Sequence, residues 1–100
     1  MKILKPYRDR IDQIDEQIIN LLKKRYDVIT EVGHLKAREN ISSVLQDRVD
    51  EVRERAARMA GEKGLDQDFI RALYAQLIEH SCALEDKIRS ISDDVARQAS

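Results

Sequence analysis

One hundred residues carry 18 Lys and Arg against 19 Asp and Glu, a net charge of −1, so bulk electrostatics make no case for nucleic acid or an anionic membrane. With 42% hydrophobic and 37% charged residues, three glycines and one proline, the composition favours long helices with solvated outer faces, in one domain that buries a modest core. The single cysteine, Cys82, excludes an intrachain disulfide and reads as a small buried hydrophobe. Residues Met1 to Pro6 lack the apolar core of a signal peptide, and no apolar run reaches membrane-spanning length, so the expectation is a cytoplasmic protein.

The first predicted helix starts near Pro6, a residue tolerated in a first turn, and runs to about Arg38. Its apolar positions Ile11, Ile14, Ile18, Leu21, Val28, Val32 and Leu35 step by three and four, the spacing of a coiled-coil seam. Some thirty residues at 1.5 Å each make roughly 45 Å of helix, too long for short helices of one small chain to cover. The length asks for a partner, most simply the same helix of a second copy. One seam position is charged: Arg25 stands where an aliphatic side chain belongs. Two readings stand for it, a pairing with a buried carboxylate that fixes register, or a guanidinium awaiting an anionic ligand.

Lys36 lies 11 residues beyond Arg25, about three turns and about 16 Å, with only about 20° of angular drift, so both cations point the same way. By itself Lys36 reads as a solvated lysine at a helix C-terminus. Arg8 is 17 residues before Arg25, about 25 Å along the axis, so the two cannot grip one small molecule from one helix. Residues 39–42 read as a loop, and Ser43-Val44-Leu45-Gln46 fits a capping box that would start the second helix. Its stripe is Leu45, Val49, Val52, Ala56 and Met59, with Arg48 beside it. A fold-back after the short loop brings Arg48 toward Lys36, making a cationic pocket suited to a small dicarboxylate. The basic run Arg53, Arg55 and Arg58 reads as solvated.

Gly64 fits a helix C′ position and Asp66 the N-cap of a third helix with Phe69, Leu73, Leu77, Ser81, Leu84, Ile88 and Ile91 on one face. Glu85, one turn after Ser81, would need a cation or a proton if it faces the core. His80 reads as a rim residue. After Ser92 the polarity rises and the tail, 92–100, is expected to fray. The chain thus reads as one all-α domain over residues 1–100 with its core over about 7–91. It has no motif for a metal, a phosphate loop or a catalytic triad.

Over about residues 7 to 88 the chain resembles the all-α, type II chorismate mutases. The likeness rests on Arg8-x-x-Ile11-x-x-Ile14-Asp15, Leu21-Leu22-x-x-Arg25, Val32-Gly33-x-x-Lys36, Asp47-Arg48, Gly64-Leu65-Asp66 and Ile78-x-x-Ser81-x-x-x-Glu85, in that order and spacing. The resemblance implies three helices per chain in an intertwined homodimer, and the cofactor-free rearrangement of chorismate to prephenate in aromatic amino acid biosynthesis. It implies that Arg25, Arg48 and, from the partner chain, Arg8 bind the substrate carboxylates. Lys36 would stabilise charge on the ether oxygen, with Ser81 and Glu85 completing the site from the third helix.

Three positions depart from the pattern. Many bacterial members carry Gln where this chain has Glu85, and an amide donates at any ordinary pH whereas a carboxylate only accepts. Many carry Glu at the position of Val49 and Asp at that of Leu45, both of which serve the substrate hydroxyl. Isochorismate pyruvate lyases share the cationic pocket and the Arg-Val pair at 48–49. A 4-amino-4-deoxychorismate mutase replaces the hydroxyl at issue, and a non-catalytic dimeric helical module would also explain the seam.

Overall fold

The computed structural model describes residues 1–99, which form three α-helices and, among those residues, no strand. A single 3₁₀ turn, Lys2–Leu4, leads into α1, Lys5–Arg38, with Pro6 in its first turn, where a missing N–H costs nothing. Lys36 and Arg38 lie in the last turn of α1, the favourable end for cations. The helix ends at Glu39, after which Asn40 turns left-handed at φ 53° and the Ile41 N–H bonds back to the Lys36 carbonyl at 2.8 Å. Asparagine tolerates that conformation better than most residues.

The second helix, α2, spans Gln46–Glu62. It starts two residues later than the capping-box reading requires, and that reading is corrected: the N-cap is Leu45, with no side-chain hydrogen bond. The Ser43 hydroxyl donates instead to Asp86 on the third helix. The other end follows expectation. Gly64 takes φ +76°, and the Leu65 N–H reaches the Ala60 carbonyl at 2.8 Å to close a Schellman turn. Asp66 then caps α3, Gln67–Ala99, by accepting the Phe69 N–H at 2.9 Å. The third helix continues past Ser92 to Ala99, where fraying was expected; Ser100 lies outside the described residues.

The second helix runs antiparallel to α3. It is tied there by Arg71, whose guanidinium donates to Glu54 at 3.0 Å, while Arg53 holds Glu54 from the other side at 3.1 Å. Arg53 is therefore engaged rather than simply solvated. These two guanidiniums hold the Glu54 carboxyl below its ordinary value.

The first helix crosses α3 in parallel, with Arg25 opposite Ser81 and Gly33 opposite Glu85 and Ile88. The buried and half-buried positions of α1 all lie beyond Leu21. Residues 1–21 are all exposed, and the seam side chains Ile11, Ile14, Ile18 and Leu21 each stay about half uncovered or more. Phe69, Leu73 and Ile91 of the expected α3 stripe are likewise exposed, while Leu77, Leu84 and Ile88 are half-buried. The chain is elongated, 65 × 29 × 15 Å, and its core of Ala57, Ala60 and Ile78 is small, as limited chain length dictates.

Gly33 sets the crossing distance. A Cβ there would stand 2.8 Å from Ile88 Cδ1 and 3.5 Å from the Glu85 Cα. An alanine needs only the tip of Ile88 to move, a cost offset by about 1 kcal/mol of helix propensity. Branched methyls would meet the α3 backbone. Gly33→Val is expected to cost about 1–3 kcal/mol, a drop of about 5 °C or more in Tm, with Gly33→Ala nearly neutral. Thermal unfolding of both variants by circular dichroism checks this.

Candidate active site

At the crossing, α1, the 39–45 loop, the start of α2 and the middle of α3 enclose a cleft of about 260 Å³. Its walls are Val28, Ile29, Val32, Leu45, Val49, Val52 and Ile78, and its polar lining is Arg25, Lys36, Ser43, Arg48, Ser81, Cys82 and Glu85. Seven of the eight residues singled out as site candidates thus line one cavity.

Arg25 projects from the seam of α1 because its helix phase matches Val28 and Val32. Its guanidinium is half-buried, and one N–H donates to the Ser81 hydroxyl at 2.8 Å. Ser81 in turn donates to the Leu77 carbonyl at 2.7 Å, the backbone bond expected of a mid-helix serine. Among the described residues no carboxylate pairs with Arg25. Of the two readings left open for Arg25, the internal buried carboxylate is therefore not found, and most of its five donors remain free.

Lys36 and Glu85 form a buried ion pair. Nζ lies 2.7 Å from Oε1, with the two side chains 16% and 5% exposed. The approach is off the line of a hydrogen bond, so Oε1 keeps no hydrogen-bond partner. Nζ donates instead to the Ser43 carbonyl at 3.1 Å. Glu85 thus finds the cation its position demands, yet presents an oxygen whose bonding capacity is unmet inside the cleft.

Arg48 lies at the rim. It contributes to the lining but is largely exposed, and its guanidinium pairs with Glu51 one turn on. Arg8 belongs to the exposed end of α1, beside Lys5 and Asp9, and takes no part in this chain's cleft. Leu45 and Val49 make the adjoining wall apolar. Cys82 is half-buried with its thiol 3.5 Å from the Ser43 carbonyl. Burial, then the charge of Glu85, push its pKa up against the pull of Lys36, so it stays a thiol. His80 sits outside, hydrogen-bonded to the Tyr26 hydroxyl at 2.8 Å.

Sequence reasoning missed Ser43, Asp86 and Arg89, which engage the loop beside Lys36. Asp86 and Arg89 find their partners more than forty residues away, in the loop and at the end of α1, so no local spacing points to them. Among the described residues no group of three or more His, Cys, Asp or Glu is placed to hold a metal, and no helix is long and apolar enough to cross a membrane. An apolar slot with a free guanidinium at one end and an ammonium–carboxylate pair at the other fits a small, flat anion with polar groups at two ends.

A family model described as chorismate mutase type II matches residues 7–86. The chain is 31% identical over 87 residues to a 4-amino-4-deoxychorismate mutase of Streptomyces venezuelae, covering 87% of this chain and 84% of that one. It is 37% identical over 71 residues to an isochorismate pyruvate lyase of Pseudomonas aeruginosa, covering 71% and 69%. Against the bifunctional chorismate mutase/prephenate dehydratase of Aquifex aeolicus it is 30% identical over 92 residues, 89% of this chain but 25% of that protein.

Replacing Arg25 by leucine restores an aliphatic seam. Ser81 keeps its bond to Leu77, so Arg25→Leu is expected to hold its fold within about 1 kcal/mol while losing affinity for a cyclic dicarboxylate at least tenfold. Thermal unfolding together with calorimetric titration separates the two effects.

Proposed function

This chain belongs to the type II chorismate mutase family, and we propose that it converts chorismate to prephenate at the Arg25–Lys36–Glu85 cleft. The carrying observation is that Arg25 is half-buried without a counter-ion, in the same cavity as the Lys36–Glu85 pair. In this reading Arg25 takes one substrate carboxylate, with Ser81 holding the guanidinium in place. Arg48 exchanges Glu51 for the other carboxylate at the rim. The apolar walls press the enolpyruvyl side chain over the ring, so that the conformer competent to react is the one that fits.

As the C–O bond breaks and the C–C bond forms, negative charge gathers on the ether oxygen. The Lys36 ammonium meets it there, a contact stronger in the transition state than in the ground state. Glu85 stands on the same side. As a carboxylate it holds the ammonium in place, its Oε1 2.7 Å from Nζ.

A second reading has its own support. Leu45 and Val49 leave the ring hydroxyl of chorismate without a polar partner, and a relative similar over most of its length is named for the 4-amino analogue. One experiment separates these readings and the lyase. Purified protein is incubated with chorismate, 4-amino-4-deoxychorismate and isochorismate at acidic and neutral pH, and the products are identified. Prephenate from chorismate is expected. Faster rearrangement of the amino compound moves the assignment to that substrate. Salicylate and pyruvate make the protein a lyase, and turnover of none leaves a helical module.

The site is also proposed to be completed by a second copy. Arg8 lies too far along α1 to reach its own cleft, and the half of α1 that carries it has its apolar seam uncovered. A homodimer with crossed long helices buries that seam and brings Arg8 of the partner subunit to the rim. If so, Arg8→Ala and Arg25→Ala are each nearly inactive. Mixing them after unfolding and refolding restores about a quarter of wild-type activity, because half the dimers are hybrids with one intact site of two. No recovery on mixing, with dimers confirmed by light scattering, removes Arg8 from the site.

A further inference from the structure

We propose that Asp86 and Arg89 are positioning residues for Lys36, acting through the α1–α2 loop; the catalytic meaning rests on the role given to Lys36 above. Lys36 occupies the last turn of α1, where the helix's own bonding runs out. Its long flexible stem would otherwise let the ammonium swing. Two acceptors on different elements prevent this: the Glu85 carboxylate on α3 and the Ser43 carbonyl in the loop.

The Ser43 carbonyl is useful only if the loop is held, and α3 holds it from one face. Asp86 accepts the Ser43 hydroxyl. Arg89, one turn further, donates to the Lys36 carbonyl at 2.7 Å and to the Ile41 carbonyl. The same turn of α3 therefore grips the side chain of Lys36 through Glu85 and its surroundings through Asp86 and Arg89. Ser43 lies two residues before Leu45, the N-cap of α2, which makes no side-chain capping bond, and its hydroxyl goes to α3. The bond joins the loop to a residue 43 positions on, which places its use in the tertiary structure.

The test uses the full chain and two readouts. Limited acylation, with Lys36 labelling read by peptide mass spectrometry against the exposed Lys24, reports whether the ammonium is held. Steady-state kinetics, on whichever substrate the wild type turns over, reports whether holding it serves the reaction. Asp86→Ala is expected to raise the Lys36 to Lys24 labelling ratio about threefold or more, and to lower kcat about three- to tenfold with KM within about twofold. Asp86→Asn, whose amide oxygen still accepts from Ser43, is expected to match wild type in both. If Asp86→Ala does not fold, Ser43→Ala removes the same bond from the loop side and carries the same expectation. Unchanged labelling, or raised labelling with unchanged kcat, overturns the proposal, as does an Asp86→Asn variant as impaired as the alanine. Absence of wild-type turnover on all three substrates would defeat the functional reading and the catalytic use of the latch together, while the labelling ratio still decides whether the latch exists.

Discussion

The contact between Lys36 and Glu85 is the constraint around which the rest of this molecule is arranged. Two charges brought out of water at an almost closed helix crossing lose several kcal/mol of hydration each, and their attraction returns that only with good geometry and further hydrogen bonds. Here the geometry is incomplete, since Oε1 has no hydrogen-bond partner. A pair of aliphatic side chains of similar size would stabilise the crossing at least as well. The local architecture is nevertheless bent to keep the pair. Gly33 lets α1 approach α3 beside Glu85, the 39–45 loop doubles back to offer the Ser43 carbonyl, and Arg89 closes the end of α1. Stability does not explain this expense, whereas a site that must present an ammonium to a ligand does.

The distribution of cations follows the same logic. Lys36 is already tied to Glu85, so its charge is oriented and partly compensated before any ligand arrives. Arg25 is held only by a neutral hydroxyl, and Arg48 by an exposed glutamate that solvent readily replaces. The two guanidiniums are thus the groups with charge to spare, and their planar forks suit carboxylates, while the compact ammonium suits a single oxygen atom. On the proposed function, two arginines and one lysine would thus divide the labour between carboxylates and ether oxygen.

Legibility from the sequence divided along local and distant interactions. The long first helix, the Gly64 and Asp66 boundary and the oddness of Arg25 were readable, because each depends on residues within a turn or two: a period, a left-handed φ, a capping oxygen. Lys36, Ser81 and Glu85, which the family motifs name, line one cavity. The capping box at Ser43 failed for a physical reason. A serine hydroxyl makes a local cap or a distant bond with similar ease, and Asp86, 43 residues on, took it. The orientation of Arg48 toward Glu51 was equally hidden, since lining a cavity and pointing into it differ by rotamers rather than by helix phase.

The apolar corner formed by Leu45 and Val49 bears on selectivity rather than on rate. A site that hydrogen-bonds a substrate hydroxyl rejects analogues lacking it strongly, because the buried donor or acceptor is then left unmet. A hydrophobic wall discriminates far more weakly between a hydroxyl and its replacements. With two aliphatic side chains there, the grip on the proposed substrate would come from its carboxylates and ether oxygen, which chorismate and its 4-amino analogue share. On the proposed function the cleft would select a reacting framework and its charges, and substituents at the apolar Leu45–Val49 end would be distinguished chiefly by how much water they must leave behind.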